Sequence, residues 1–131
     1  MNNEDFEALI FKRKERISLI LSSKAVEYAR GDRLSNFKEA AEFLHCTPEK
    51  ALLGFVTKHM IALRDFVEDL EKGHCASGEQ WDEKLGDIIN YMILLEALLE
   101  ERQAVQVPDN RPMSEKVSEA LKEMMPPSGI L

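Results

Sequence analysis

The sequence has few of the residues that interrupt or crosslink a chain. Its 131 residues include only six glycines, five prolines and two cysteines. This scarcity, together with 44% hydrophobic and 31% charged residues, indicates a folded chain rather than a disordered one. Two cysteines are too few for a disulfide framework, and we expect both to stay reduced. At this length we expect one domain with a single core.

Long apolar runs and a surplus of positive charge are also missing. The longest apolar run is YMILL, residues 91–95, far short of the roughly 20 residues that span a membrane. The amino-terminal MNNEDFEALI lacks the basic start and apolar core of a signal peptide, so we expect a cytoplasmic protein with no membrane partner. A net charge of −7 opposes attraction to nucleic acid, and no nucleic-acid partner is expected.

Apolar residues instead recur at helical spacing along the chain, and no segment shows the strict alternation of a strand. The pattern predicts an all-α fold, a bundle of four main helices plus a short C-terminal helix. We expect a single helical domain over residues 1–125 and a flexible tail over residues 126–131. The first helix is predicted over about residues 5–30, where GDRLS ends it.

Capping residues predict where the next helices begin. In NFKEAAEFLH, Asn36 is expected to cap the second helix and Glu39 to complete a capping box. In CTPEKALLGF, Thr47 is expected to cap the third helix with Pro48 as its first residue. That helix should end near residues 72–73. The last predicted helix is SEKVSEALKEMM, residues 114–125.

The two long central helices carry apolar seams with the same stepping of three and four residues. A shared stepping predicts that the two helices pack together at a shallow angle. The seam positions are Leu52, Val56, His59, Leu63, Phe66 and Leu70 in the third helix, and Trp81, Leu85, Ile88, Met92, Leu95 and Leu99 in the fourth. We interpret His59 as a core histidine with a hydrogen bond rather than as a catalytic base.

The fourth helix is apolar almost all the way round, yet it carries Asp87 and Asn90 where its apolar stretch begins. A buried ionised carboxylate without a partner is costly, so Asp87 should be paired, capped or bound to a metal. In one interpretation it lies near the rim and pairs with Lys58, Arg30 or Arg33. In the other, Asp87 and Glu83, one turn earlier, hold a divalent cation.

Three segments carry a resemblance to a known group. GDRLSNFKEAAEFL, TPEKALLGFVTKHMIALRD and WDEKLGDIINYMILLEAL together resemble small phage and prophage proteins related to the MazG-like, all-α nucleoside triphosphate pyrophosphohydrolases. The resemblance covers about residues 17–101. It implies a nucleotide-binding protein, with Mg²⁺ held by an ExxE motif on one helix and an ExxD motif on a later one.

Carried onto this sequence, the resemblance implies a magnesium site at four acids. The first motif falls on Glu39 and Glu42, and the second on Asp87, with Glu83 as the substitute for its first acid because Lys84 occupies that position. Glu39 and Glu42 are alternatively interpreted as a solvated helix face, because they project away from the apolar stripe of their helix.

The same resemblance implies which residues would contact a nucleotide. The candidate phosphate contacts are Arg30, Arg33 and Lys58, and Asn90 is the candidate contact to a base or sugar. The alternative for Lys58 is a solvent-facing residue beside the seam.

The two His-Cys dipeptides, residues 45–46 and 74–75, raise the alternative of a zinc site. Adjacent residues diverge too far in direction to chelate easily, and we do not adopt that alternative.

Two classes of function remain open. One is the MazG-like nucleotide-binding protein, catalytic or not, expected to form a homodimer through exposed parts of the first or fourth helix. The other is a non-catalytic all-α interaction module, either a degenerate relative or a phage-encoded inhibitor that acts through its surface. An acidic mimic of nucleic acid is a third, suggested only by the net charge of −7.

Overall fold

The computed structural model describes residues 1–27, 31–106 and 110–125, without the side chains of residues 24–27. The five helices are α1 (Asn3–Glu27), α2 (Ser35–Leu44), α3 (Pro48–Glu71), α4 (Gly78–Gln106) and α5 (Met113–Met124). Within the described residues there is no strand, which confirms the predicted all-α fold of four main helices and a short C-terminal one. No helix in those ranges is long and apolar enough to cross a membrane.

The chain divides into two compact units, residues 1–100 and residues 101–131. The first unit contains α1, α2, α3 and most of α4, and it holds all of the buried residues discussed below. The second unit contains the end of α4 and α5, an exposed amphipathic helix. The predicted single domain over residues 1–125 stays a prediction, and its tail lies outside the described residues.

Local signals explain how α3 begins and ends. Thr47 accepts a hydrogen bond from the backbone nitrogen of Lys50 at 3.2 Å, and Pro48 is the first helical residue. The helix ends at Glu71, and Gly73 adopts a left-handed conformation with φ of 82°, which glycine reaches without strain. Both predicted ends of this helix are confirmed.

The predicted cap of α2 is wrong. The helix begins at Ser35, so Asn36 lies inside the first turn, and no side chain caps it through Leu34. The carboxylate of Asp32 instead accepts a hydrogen bond from the backbone nitrogen of Leu34 at 2.9 Å and pairs with Lys38 at 2.7 Å. An Asx turn of this kind sets the chain direction before the helix starts, and it makes an Asn36 cap unnecessary.

A capping box that the sequence analysis overlooked begins α4. The backbone nitrogen of Ser77 donates to Gln80 Oε1 at 3.0 Å, and the backbone nitrogen of Gln80 donates to Ser77 Oγ at 3.2 Å. Reciprocal bonds between these positions satisfy two of the free amides of a helix start. The helix therefore begins at Gly78, ahead of the apolar stretch from Trp81 onward.

The core lies where α2, α3 and α4 meet. Its buried cluster consists of Leu34, Phe37, Leu52 and Leu98, with Tyr91, Leu94, Leu95 and Ala97 packed against it. Leu52 is fully buried, and Val56 and His59 continue its face along α3. The first half of the predicted α3 seam is thus buried, whereas Leu70 at its far end is 46% exposed.

The predicted seam of α4 is not its most buried face. Leu85, Met92 and Leu99 are each more than a third exposed, whereas Gly86, Asn90 and Leu98 are the buried positions. The helix is rotated so that the face carrying Tyr91, Leu94 and Leu98 meets the core. Because the helix is apolar on several sides, its own sequence did not determine which side would pack inward.

Charged side chains attach α1 to α4. Arg13 and Arg16 both form ion pairs with Asp82, and Arg13 Nη2 lies 2.8 Å from Asp82 Oδ1. Gly86 lies beneath this contact, and a β-carbon there would come within 3.0 Å of Arg13 Nη1. A glycine at 86 therefore lets the Arg13 guanidinium approach the surface of α4. Part of the basic run of residues 12–16 is thus bonded to α4.

Candidate functional site

A cavity of about 790 Å³ opens between the helices of the first unit. Such a volume lies within the range of small-molecule sites in proteins. Each of the first four helices contributes to its lining, which consists of Ile20, Leu21, Arg33, Asn36, Phe37, Glu39, Ala40, Phe43, Leu44, Phe55, Lys58, His59, Asp87, Asn90, Tyr91 and Leu94. The cavity is mostly apolar, with polar groups concentrated on α3 and α4.

Aromatic rings form a continuous part of the wall. Phe37 on α2 meets Phe55 on α3 with ring centroids 5.7 Å apart, and it meets Tyr91 on α4 at 6.4 Å. Tyr91 in turn lies 5.5 Å from the ring of His59. Edge-to-face contacts of this kind hold neighbouring rings in fixed orientations. The cavity therefore has an aromatic side against which a flat apolar or aromatic group can pack.

His59 and Asp87 lie side by side in the cavity wall. Nδ1 of His59 is 3.2 Å from Oδ2 of Asp87, although the imidazole N–H is not well enough aligned for a hydrogen bond. His59 is 9% exposed. Burial lowers the pKa of His59 below its ordinary value; the charge of Asp87 opposes this shift, and that of Lys58 adds to it. Burial therefore favours the neutral form of His59.

Asn90 lies one helical turn beyond Asp87, and its residue exposure is only 7%. Its Oδ1 is buried and has no hydrogen-bond partner among the described residues, and the same holds for Nδ1 of His59. Leaving a buried polar atom unpaired costs about 1–3 kcal/mol. Buried unpaired groups are uncommon in folded proteins and require an explanation. Here both of them belong to residues that line one cavity.

Two cationic side chains complete the wall. Lys58 and Arg33 are exposed residues that also line the cavity. Nη1 of Arg33 donates to the backbone oxygen of Leu21 at 2.7 Å, which ties the segment before α2 to α1. The guanidinium still has other N–H groups for an anion. The exposed cations Lys58 and Arg33 thus share the cavity with the buried side chains of His59 and Asn90.

The structure brings together five of the eight candidate residues proposed from the sequence. Arg33, Glu39, Lys58, Asp87 and Asn90 all line this cavity. Glu39 is nevertheless exposed, as its solvated-face interpretation expected. The rim interpretation named two described residues, Lys58 and Arg33, as partners of Asp87, and neither pairs with it. The side chain within ion-pair distance of Asp87 is that of His59.

Two of the remaining three candidates lie outside the cavity lining. Glu42 and Glu83 do not belong to the cavity lining, and Glu83 is an exposed side chain 3.1 Å from Lys84. Arg30 lies outside the described residues. Within residues 1–27, 31–106 and 110–125, no group of three or more His, Cys, Asp or Glu side chains is arranged to hold a metal ion. The four acids expected to bind Mg²⁺ are thus divided, with Glu39 and Asp87 at the cavity.

Sequence reasoning missed the role of His59 and of the aromatic wall. His59 was interpreted as a hydrogen-bonded core histidine; it is buried, but its Nδ1 has no hydrogen bond to a described residue. One signal was present in the sequence: His59 stands beside Lys58 on a seam that faces the helix of Asp87. The aromatic contacts of Phe37 and Phe55 had no comparable signal, since apolar residues on a helix face predict only burial.

Comparisons of this chain with protein-family models, with curated proteins and with solved structures found no match. The interpretation of the site therefore depends on its own chemistry.

Proposed function

We propose that this protein binds a nucleotide in the cavity of the first unit. The observation that carries the proposal is the combination of three features in one cavity of about 790 Å³: an aromatic wall, two cationic side chains and buried polar side chains. A nucleotide has the matching parts, which are a flat base, anionic phosphates and polar groups on base and sugar.

The cations supply the contacts for phosphate. Arg33 offers a planar guanidinium that bonds two phosphate oxygens at once, and Lys58 adds a mobile ammonium group. Both residues are exposed, so the phosphates would remain near solvent, where their desolvation costs little. The net charge of the chain is −7, and this local positive charge opposes the general repulsion of a polyanion.

The aromatic wall supplies the contact for the base. Phe37, Phe55 and Tyr91 come from three helices and meet in edge contacts. Base stacking on an aromatic side chain contributes about 1–3 kcal/mol. Because the three rings already pack on one another, little side-chain entropy would be lost when a base stacks there.

We further propose that the activity is Mg²⁺-dependent cleavage of a nucleoside triphosphate to the monophosphate and pyrophosphate, as the MazG-like resemblance implies. What supports this is that Glu39 and Asp87, one acid from each implied motif, line the same cavity. Mg²⁺ commonly uses one or two carboxylates and completes its shell with water and phosphate oxygens. Such an ion would neutralise phosphate charge and orient the attacked phosphorus.

The test is calorimetric titration with a panel of ribo- and deoxyribonucleoside triphosphates, with and without Mg²⁺, together with a pyrophosphate-release assay. Lys58→Gln should weaken binding by about tenfold or more, since a charged hydrogen bond contributes about 1.5–3 kcal/mol. Lys50→Gln is the matched control, an exposed lysine on the same helix that does not line the cavity. Absence of binding to every nucleotide would overturn the proposal. Binding without pyrophosphate release would overturn the enzymatic part alone.

A second candidate, a protein-interaction module or homodimer, is favoured by the exposed apolar side chains of α1. Phe6, Leu9, Phe11 and Leu19 on α1 are each at least half exposed. Apolar side chains in such numbers on one helix are typical of protein contacts. Sedimentation equilibrium of the wild type and of Phe11→Glu is the test. A monomer in both, over the micromolar range, would remove the homodimer.

A further inference from the structure

Both buried polar atoms that lack partners belong to the nucleotide cavity. Among the described residues, the buried side-chain nitrogens and oxygens without a hydrogen-bond partner are Nδ1 of His59 and Oδ1 of Asn90. His59 and Asn90 are 9% and 7% exposed, so each is nine-tenths buried, and each lines the cavity. A folded chain seldom retains such groups without a use. A ligand that donates a hydrogen bond to Oδ1 of Asn90 gains affinity, because the cost of burying that oxygen has already been met in the free protein.

Two residues of α4, the partly buried Asp87 and the buried Asn90, bring hydrogen-bond acceptors to this part of the cavity. The carboxylate of Asp87 offers about four acceptor positions, and its Oδ2 lies 3.2 Å from His59 Nδ1. Asn90 adds an amide oxygen. These two residues are three apart on α4, so their β-carbons are about 5–6 Å apart. One nitrogen can span that separation with two hydrogen bonds of about 2.9 Å each.

We infer that this part of the cavity binds an exocyclic amino group, so that the site prefers amino-bearing bases, adenine or cytosine, over their keto counterparts, hypoxanthine or uracil. The inference depends on the proposed nucleotide function. An amino group donates two N–H bonds, one to Asp87 and one to Oδ1 of Asn90. A keto oxygen at the same place would face the Asp87 carboxylate, which has no hydrogen to donate when it is ionised. The terminal torsion of an asparagine is broad, so the amide oxygen can turn toward the cavity at little cost.

The exposed cations of the cavity determine the direction of the ligand. Arg33 and Lys58 are exposed, whereas Asn90 and His59 are buried. The phosphates therefore lie toward solvent and the amino edge of the base points inward, with the ring against the aromatic wall.

The experiment compares nucleotides that differ at the amino or keto position. Dissociation constants are measured by calorimetry for CTP against UTP and for ATP against ITP, under the cation condition that gives binding. In the wild type we expect the amino member of each pair to bind at least about tenfold tighter. Asn90→Leu, which keeps the approximate shape and removes the acceptor, should reduce that ratio to below about threefold. Asn90→Asp, which keeps an acceptor, should retain the preference.

Asn3→Leu is the matched control, because it makes the same chemical change at an exposed position of α1. It should leave every constant unchanged, and far-UV circular dichroism should show all variants folded. Equal binding within each pair, or a preference that survives Asn90→Leu, overturns the inference and leaves the proposed nucleotide function intact. If no nucleotide binds, both fall together. A preference lost in Asn90→Leu and Asn90→Asp alike contradicts the role of the acceptor.

Discussion

Replacement of Asn90 by leucine should stabilise the free protein while it removes base selectivity. Asn90 is 7% exposed, and its Oδ1 is buried without a hydrogen-bond partner among the described residues. In the unfolded chain the amide oxygen has no such desolvation cost, because water forms hydrogen bonds to it there. Folding therefore carries the desolvation cost of that oxygen, about 1–3 kcal/mol, without a compensating bond.

The magnitude follows from three contributions. Removing the unpaired acceptor contributes about 1–3 kcal/mol, and leucine is favoured over asparagine within a helix by a few tenths of a kcal/mol. The slightly larger side chain costs up to about 1.5 kcal/mol if its neighbours cannot adjust, but the adjacent cavity of about 790 Å³ gives them room. We expect a net increase of about 1–2 kcal/mol in the free energy of unfolding.

The assay is urea denaturation followed by circular dichroism for the wild type, Asn90→Leu and Asn3→Leu. The midpoint of Asn90→Leu should rise by about 0.5–1 M with the slope unchanged, and that of Asn3→Leu should stay where it is. A loss of stability of 1 kcal/mol or more in Asn90→Leu, beside an unchanged control, would refute the reasoning. It would show that Oδ1 has a hydrogen-bond partner in solution and is not held ready for a ligand.

Three further predictions concern the core, the pH dependence and a turn. Leu52→Ala should lower the free energy of unfolding by about 2–5 kcal/mol, because Leu52 is fully buried. Leu53→Ala, at a half-exposed neighbour, should lower it by less than about 1 kcal/mol in the same urea titration. Stability should fall as the pH drops below about 6.5, because burial lowers the pKa of His59 and the unfolded state then binds more protons than the folded state. The contribution of His59 to the slope should not exceed about 1.4 kcal/mol per pH unit. A His59→Gln variant that keeps this pH dependence would contradict its assignment to His59. Asp32→Ala should destabilise the chain by about 1 kcal/mol in thermal unfolding, because it removes the 2.9 Å hydrogen bond to the backbone of Leu34. An unchanged melting temperature would show that this turn forms without the Asp32 carboxylate.

Several local features were predictable because their causes lie within a few residues. The start of α3 depends on Thr47 and Pro48, and its end depends on Gly73; both ends are found where the sequence placed them. The wrong cap predicted for α2 also concerns residues close together in the sequence. Asn36 and Asp32 are both capping residues by type, and only the path of the chain before α2 decides that Asp32 is used.

The candidate site was predictable only in part. Asp87 and Asn90 stood out because polar groups within an apolar stretch are costly to bury, and both line the cavity. The pairing of Asp87 with His59 was not foreseen, because the two residues belong to helices whose relative rotation the sequence does not state. The division of the acids, with Glu39 at the cavity and Glu42 outside its lining, follows from the same geometry.

The amino-acid sequence by itself determined that the chain is helical and where α3 begins and ends, because helix formation and capping depend on contacts within one or two turns. Tertiary structure alone decided which side of α4 faces the core. Trp81, Leu85, Met92 and Leu99 provided one apolar seam, yet the helix buries the side with Gly86, Asn90 and Leu98. Rotating an apolar helix about its axis changes its own burial little, so the rings of Phe37 and His59 and the guanidinium of Arg13 fixed that rotation.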